Sequence, residues 1–284
     1  MPGSTGTHVS KGDDTQAASE RGDPDQGHAR QWPSTPYSDE ARAARLTTDT
    51  HCAVALIGDC TVACTYFPPA NRPENHLAVR LRRAFPDQAF AIHNLARDGE
   101  SADEFHKQER FDKAFADISR LDVAFVRYGI NDRKRHGIPG CIRHLDALVD
   151  AIRARYADIT IFVETGIWVD YPAHYLWDRN ASLGPLYEAL ERYAREAGYP
   201  VVDIFSNMRA ETERGNWDLR VRGLPVPEQT IVDDSFDTFF GDDAAFFTNI
   251  HPNSRCLGLI AEWEVEQIRQ HCGAGLPRSG CANA

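Results

Sequence analysis

The sequence predicts an α/β domain, a three-layer α/β/α sandwich around a parallel sheet of about five strands. Short apolar, β-branched runs alternate with longer amphipathic segments along the chain, the pattern of strands joined by crossover helices. Strand-like runs such as Val54-Ala55-Leu56-Ile57 are apolar at every position, as expected of a sheet covered on both faces. With 42% hydrophobic and 26% charged residues over 284 positions, the chain can fill one core of domain size.

The elements follow in order. Residues 1–47 are rich in Gly, Ser, Thr, Asp, Gln and Pro, with almost no aliphatic residue before Leu46. Such a segment buries too little apolar surface to offset its ordering entropy and is expected to be a disordered tail. The domain is expected over 50–272, with strands at 52–57, 89–93, 121–127, 158–164 and 200–204. Helices are expected near 74–84, 102–118, 140–155, 182–197 and 254–271. Leu145, Leu148, Val149 and Ile152 give the helix at 140–155 one apolar stripe. Residues 273–284 are expected to be a flexible tail. In a parallel sheet, functional loops gather at the carboxyl ends of the strands.

Charge and cysteine usage narrow the function classes. The formal net charge is −11, and the first fifty residues hold eight acidic against five basic residues, so the folded part is acidic too. Neutralising phosphates needs clustered Lys and Arg, which disfavours nucleic acid and anionic membrane as partners. The run Arg133-Lys134-Arg135-His136 is a local exception, expected as a solvated loop or as a contact for an anionic substrate group. No apolar run has the length of a membrane span, and the N-terminus lacks the apolar core of a secretory signal. Seven cysteines without a Cys-x-x-Cys or zinc-finger spacing fit reduced thiols in the cytoplasm, with no metal and no cofactor. Cys64, four residues after Cys60, is expected as a packing residue or a resolving thiol.

Four segments carry the chemistry. Val54-Ala55-Leu56-Ile57-Gly58-Asp59-Cys60 is a buried strand closing on a tight turn, with a thiol where a helix begins. Backbone N–H groups and the helix dipole there are expected to favour a thiolate. Asn94-Leu95-Ala96-Arg97-Asp98-Gly99-Glu100-Ser101 follows the second strand, and Tyr128-Gly129-Ile130-Asn131-Asp132 closes the third. Phe247-Thr248-Asn249-Ile250-His251-Pro252-Asn253 precedes the last helix. In order and spacing these blocks resemble the SGNH (GDSL-type) hydrolase superfamily over about residues 52–270. That family places its nucleophile in Gly-Asp-Ser, a Gly in the second block, Gly-x-Asn-Asp in the third and Asp-x-x-His-Pro in the last. This chain departs from it twice, with Cys60 for the serine and Thr248 for the aspartate.

The resemblance implies the flavodoxin-like SGNH fold and roles for individual residues. Cys60 would be the nucleophile and His251 the base, a Cys-His dyad rather than a triad. The Cys60 N–H, the Gly99 N–H and the Asn131 side chain would form the oxyanion hole. Thr248, Asp242, Asp243 and a backbone carbonyl stay open as the group that orients His251. Asp59 and Asp132 are expected to tie loops together. The aromatic run with Trp168, Tyr171, His174, Tyr175 and Trp177 is expected to wall an apolar substrate or to pack its own small core.

The function expected on these grounds is an acyl hydrolase, an esterase or thioesterase passing through an acyl-thioester on a small-molecule acyl substrate. Two alternatives stand beside it. One is an acyltransferase or cyclase, because a thioester favours amines and thiols over water. The other is a degenerate member that only binds a ligand.

Overall fold

A parallel five-stranded sheet, in the order β2-β1-β3-β4-β5, forms the centre of the fold. The computed structural model describes residues 51–65, 67–168, 179–214, 251–252 and 254–272. The strands are β1 (His51–Gly58), β2 (Ala89–Asn94), β3 (Val123–Arg127), β4 (Thr160–Glu164) and β5 (Val201–Val202). The helices are α1 (Cys60–Ala63), α2 (Pro73–Ala84), α3 (Ala102–His106), α4 (Gln108–Phe115), α5 (Ile130–Arg155), α6 (Arg179–Glu196), α7 (Ile204–Glu213) and α8 (Ser254–Cys272).

Period-two alternation splits each apolar strand between two cores. Ala53, Ala55 and Ile57 face one side with Ala124, Val126, Ile161 and Val163, under Phe105, Phe115, Leu148 and Leu186 from α3, α4, α5 and α6. Cys52, Val54 and Leu56 face the other with Val123, Phe125 and Phe162, under Leu77 of α2, Met208 of α7 and Ile260 of α8. This is the expected three-layer sandwich. Parallel pairing puts β1 between β2 and β3, with Leu56 opposite both Asn94 and Phe125. The chain winds outward in opposite directions from β1, so the crevice above β1 and β3 is the topological switch point where such sheets hold ligands.

Several expected boundaries move for local reasons. The helix expected at 102–118 is two: it breaks at Lys107, whose backbone is extended (φ −57°, ψ 131°). The break lets Phe105, Phe111 and Phe115, whose spacing does not fit one continuous helix face, meet edge to face at 4.9–6.3 Å. The helix expected at 140–155 starts ten residues earlier, at Ile130, and kinks at Gly137 (φ 65°) just before Pro139. The Arg133–His136 run therefore lies on a helix, not in a loop. The strand expected at 200–204 stops at Val202, because Asp203 caps α7, its carboxylate accepting from Ser206 N at 3.0 Å. Residues 1–47 and 273–284, expected as tails, lie outside the described residues.

Candidate active site

β1 runs straight into the turn that presents Cys60. The turn is tight: a Cβ on Gly58 would lie 2.5 Å from the Arg127 carbonyl and 2.6 Å from Val62, so only glycine lets β1 pass so close to β3 and α1. Asp59 caps α1, its Oδ1 accepting from Thr61 N at 2.9 Å and from Thr61 Oγ1 at 2.8 Å. Burial raises the Asp59 carboxyl to about 6 against those bonds. Cys64 ends α1 in the left-handed region (φ 45°), wholly buried, its thiol donating to the Thr61 carbonyl at 3.4 Å. That is the expected packing role.

Cys60 itself is partly buried, and the Gly99 backbone beside it favours the thiolate. The rest of its surroundings oppose the expected thiolate. Burial pushes the thiol well above its usual value, and the carboxylates of Asp59 and Asp98 push it the same way, outweighing the Gly99 backbone. A four-residue helix contributes too small a dipole to reverse this. Asp98 is itself hydrogen-bonded by Thr65 Oγ1.

The second and third blocks are laced together residue by residue. Gly99 sits in the left-handed region at φ 71°, which turns its N–H inward. Asn131 Nδ2 donates to the Glu100 carbonyl at 3.0 Å, leaving its second amide hydrogen for an oxyanion. The Glu100 carboxylate accepts from Tyr128 Oη at 3.0 Å and from Arg110 at 2.7 and 3.3 Å. Arg135 donates to Ser101 Oγ at 2.9 Å, pairs with Glu104 at 2.6 Å and reaches the Gly99 carbonyl at 3.4 Å. His136 meets Asp103 at 3.1 Å. Asp132 Oδ1 accepts from Ala102 N at 2.8 Å, and burial raises this carboxyl to about 6. Asp132 thus ties the second and third loops together, as expected, whereas Asp59 caps its own helix. Arg135 and His136 of the basic run serve the same lacing.

A second buried network braces the Cys60 turn from below. Arg127, at the end of β3, pairs with Glu164 of β4 at 2.8 Å and lies 3.6 Å from Glu264 of α8, all three buried. Its Nη1 also donates to the Thr61 carbonyl of α1 at 3.2 Å. Burial and the neighbouring Glu164 push Glu264 well above the usual carboxyl range, so it keeps its proton. Neither Arg127 nor Glu100 stands out in the sequence, although a charged residue within an apolar strand is a signal.

His251 lies half-buried three residues before α8, followed by the buried Pro252. Trp168, at the carboxyl end of β4, stacks edge-on against Phe205 at 5.1 Å, with Arg209 over its ring at 5.6 Å. Thr248, Asp242, Asp243, Tyr171, His174, Tyr175 and Trp177 lie outside the described residues. Among the described residues no cluster of three His, Cys, Asp or Glu side chains could hold a metal. No described helix is long and apolar enough to cross a membrane, and Cys52, Cys60, Cys64, Cys141 and Cys256 are free thiols.

A family model described as GDSL-like lipase/acylhydrolase matches residues 56–255. No curated protein matches the sequence. Solved structures share the fold at low identity. A putative GDSL-like lipase from Parabacteroides merdae is 15% identical with a TM-score of 0.56, covering 77% of this chain and 95% of its own. A lipolytic G-D-S-L family protein from Veillonella parvula is 14% identical at 0.52, covering 76% and 97%. A catalytic mutant of an acetylxylan esterase from Geobacillus stearothermophilus is 14% identical at 0.52, covering 78% and 96%.

Proposed function

The chain belongs to the GDSL-like lipase/acylhydrolase family, and we propose that it is an ester or thioester hydrolase working through Cys60 and His251. In this reading the Cys60 sulfur attacks the acyl carbonyl carbon while His251 takes the thiol proton. The carbonyl oxygen becomes an oxyanion held by the Cys60 and Gly99 N–H groups and the spare Asn131 amide hydrogen. Collapse breaks the bond to the leaving group, which takes the proton from His251 and departs as an alcohol or thiol. Water then attacks the thioester, gives a proton to His251, and the acid leaves as Cys60 regains its hydrogen.

The single observation that supports this most is the bond from Asn131 Nδ2 to the Glu100 carbonyl at 3.0 Å. It joins the Asn131 amide to the turn that carries Gly99, so two of the assigned oxyanion donors lie together. The neutral thiol shapes the mechanism: with Asp59 and Asp98 opposing a thiolate, proton transfer to His251 accompanies attack instead of preceding it. Thr248, Asp242 or Asp243 would orient His251 in place of the family aspartate. Trp168 and the aromatic residues after it would wall the acyl pocket.

The acyltransferase reading rests on the same thiol, because a thioester partitions toward amines more than an oxygen ester does. The ligand-binding reading would leave polar donors unpaired at an apolar site, at a cost of about 1–3 kcal/mol each. The test is turnover of 4-nitrophenyl acetate by the wild type and by Cys60→Ala and His251→Ala, with and without an added primary amine. Loss of turnover in both variants with acid as the product supports the hydrolase, and amide formation supports transfer. Full turnover in Cys60→Ala overturns both.

A further inference from the structure

We propose that Glu100 is the positioning residue of the oxyanion hole, coupling its two non-nucleophile donors through one buried carboxylate. The inference rests on the acyl-transfer role given above to Cys60, Gly99 and Asn131. Glu100 is 6% exposed, and its carboxylate makes three bonds, to Arg110 Nε (2.7 Å), Arg110 Nη2 (3.3 Å) and Tyr128 Oη (3.0 Å). Both partners are anchored elsewhere. Arg110 Nη2 also donates to the Leu95 carbonyl at 2.5 Å and its guanidinium lies 4.4 Å over the Phe105 ring, while Tyr128 is fully packed between β3 and α5. The side chain of Glu100 is therefore a fixed post.

Its backbone is joined to both donors. The Glu100 carbonyl receives Asn131 Nδ2 at 3.0 Å, which sets the amide rotamer. The residue before it, Gly99, has a left-handed backbone at φ 71° with no side chain to hold it. A glycine with nothing within 4 Å of its missing Cβ has no packing of its own to fix it, so its peptide is fixed by its neighbour. Releasing Glu100 would loosen the Gly99 N–H and the Asn131 amide together, and a misplaced donor loses transition-state stabilisation while leaving substrate binding alone.

Conservative replacement separates charge from position. In Glu100→Gln the amide oxygen still accepts from Arg110 Nε, and the amide nitrogen donates to Tyr128 Oη, whose hydroxyl turns to accept. The post survives. In Glu100→Ala it is gone, and Tyr128→Phe removes one of its three bonds. The experiment measures 4-nitrophenyl acetate kinetics for the three variants and, separately, the rate of Cys60 alkylation by iodoacetamide against pH. We expect Glu100→Ala to lower kcat roughly tenfold to a hundredfold with KM within about twofold, Glu100→Gln to stay within about threefold of wild type, and Tyr128→Phe to fall between. The midpoint of Cys60 alkylation should rise in Glu100→Ala, where the Gly99 backbone is loosened, and stay put in Glu100→Gln. A kcat unchanged in a folded Glu100→Ala, or Gln as impaired as Ala with the alkylation midpoint unmoved in both, overturns the proposal. Alkylation involves no acyl turnover. A wild type without Cys60-dependent turnover would refute the hydrolase, whereas the alkylation comparison would still decide on Glu100.

Discussion

Arg127 donates to the carbonyl of Thr61 at 3.2 Å, and through that bond the last residue of β3 holds the helix that begins with Cys60. The same guanidinium pairs with Glu164 and faces Glu264, so α1, β3, β4 and α8 meet at one buried cation. A buried ion pair contributes little net stability compared with a well-packed apolar core, but breaking one is expensive because a charge is left without its partner.

Arg127→Ala should therefore lower stability by about 3–5 kcal/mol, read as a shift in the chemical-denaturation midpoint. Glu264→Gln should change it by less than about 1 kcal/mol, because the protonated Glu264 and a glutamine amide offer similar hydrogen bonding. Equal losses in both variants would mean that Glu264 is a charged partner, not a neutral one.

The strands, the parallel three-layer class and the positions of Cys60, Gly99 and Asn131 were legible in the sequence, because apolar runs ending in Gly or Asn carry both a period and a stop. Sheet order was not, since no local signal says which strand neighbours which. The early start of α5 was hidden because Gly129-Ile130-Asn131-Asp132 reads as a turn, and the helix absorbs Gly137 and Pro139 as a kink. α7 went unseen because its cap, Asp203, follows a two-residue strand. What surrounds the thiol was not legible, for a physical reason. A helix start favours a thiolate, but whether carboxylates and burial oppose it depends on residues such as Asp98, 38 positions away in sequence.

Asp59 and Asp132 give a pH signature opposite to that of most carboxylates. Both are raised by burial to about 6 from 3.8, so the folded protein holds these protons over a range where the unfolded chain releases them. Their contribution to stability is fully present below about pH 4, is lost as pH rises toward 6, and is then constant. Asp132→Asn keeps an oxygen for Ala102 N and has no proton to lose. It should flatten the fall in stability between about pH 4 and 6 and leave the protein more stable than wild type at pH 7. Urea midpoints across that range check it, and an unchanged slope would contradict the assignment.

Cys60 should behave as a neutral thiol. Alkylation by iodoacetamide should be slow at pH 7 and climb only above the ordinary thiol range of about pH 8.5. Asp98→Asn removes one of the opposing charges and should raise the rate at pH 8 roughly threefold. Rapid alkylation of the wild type well below pH 7 would instead indicate a preformed thiolate–imidazolium pair.

The central claim is that Cys60 forms a covalent acyl-enzyme. Wild-type protein mixed with excess 4-nitrophenyl acetate, quenched in acid within the first turnovers and digested, should show the peptide containing Cys60 heavier by one acetyl group. Hydroxylamine should remove that mass, and Cys60→Ala should not acquire it. Steady release of 4-nitrophenol with Cys60 never modified, or acetylation that persists elsewhere in Cys60→Ala at the wild-type rate, would contradict the account.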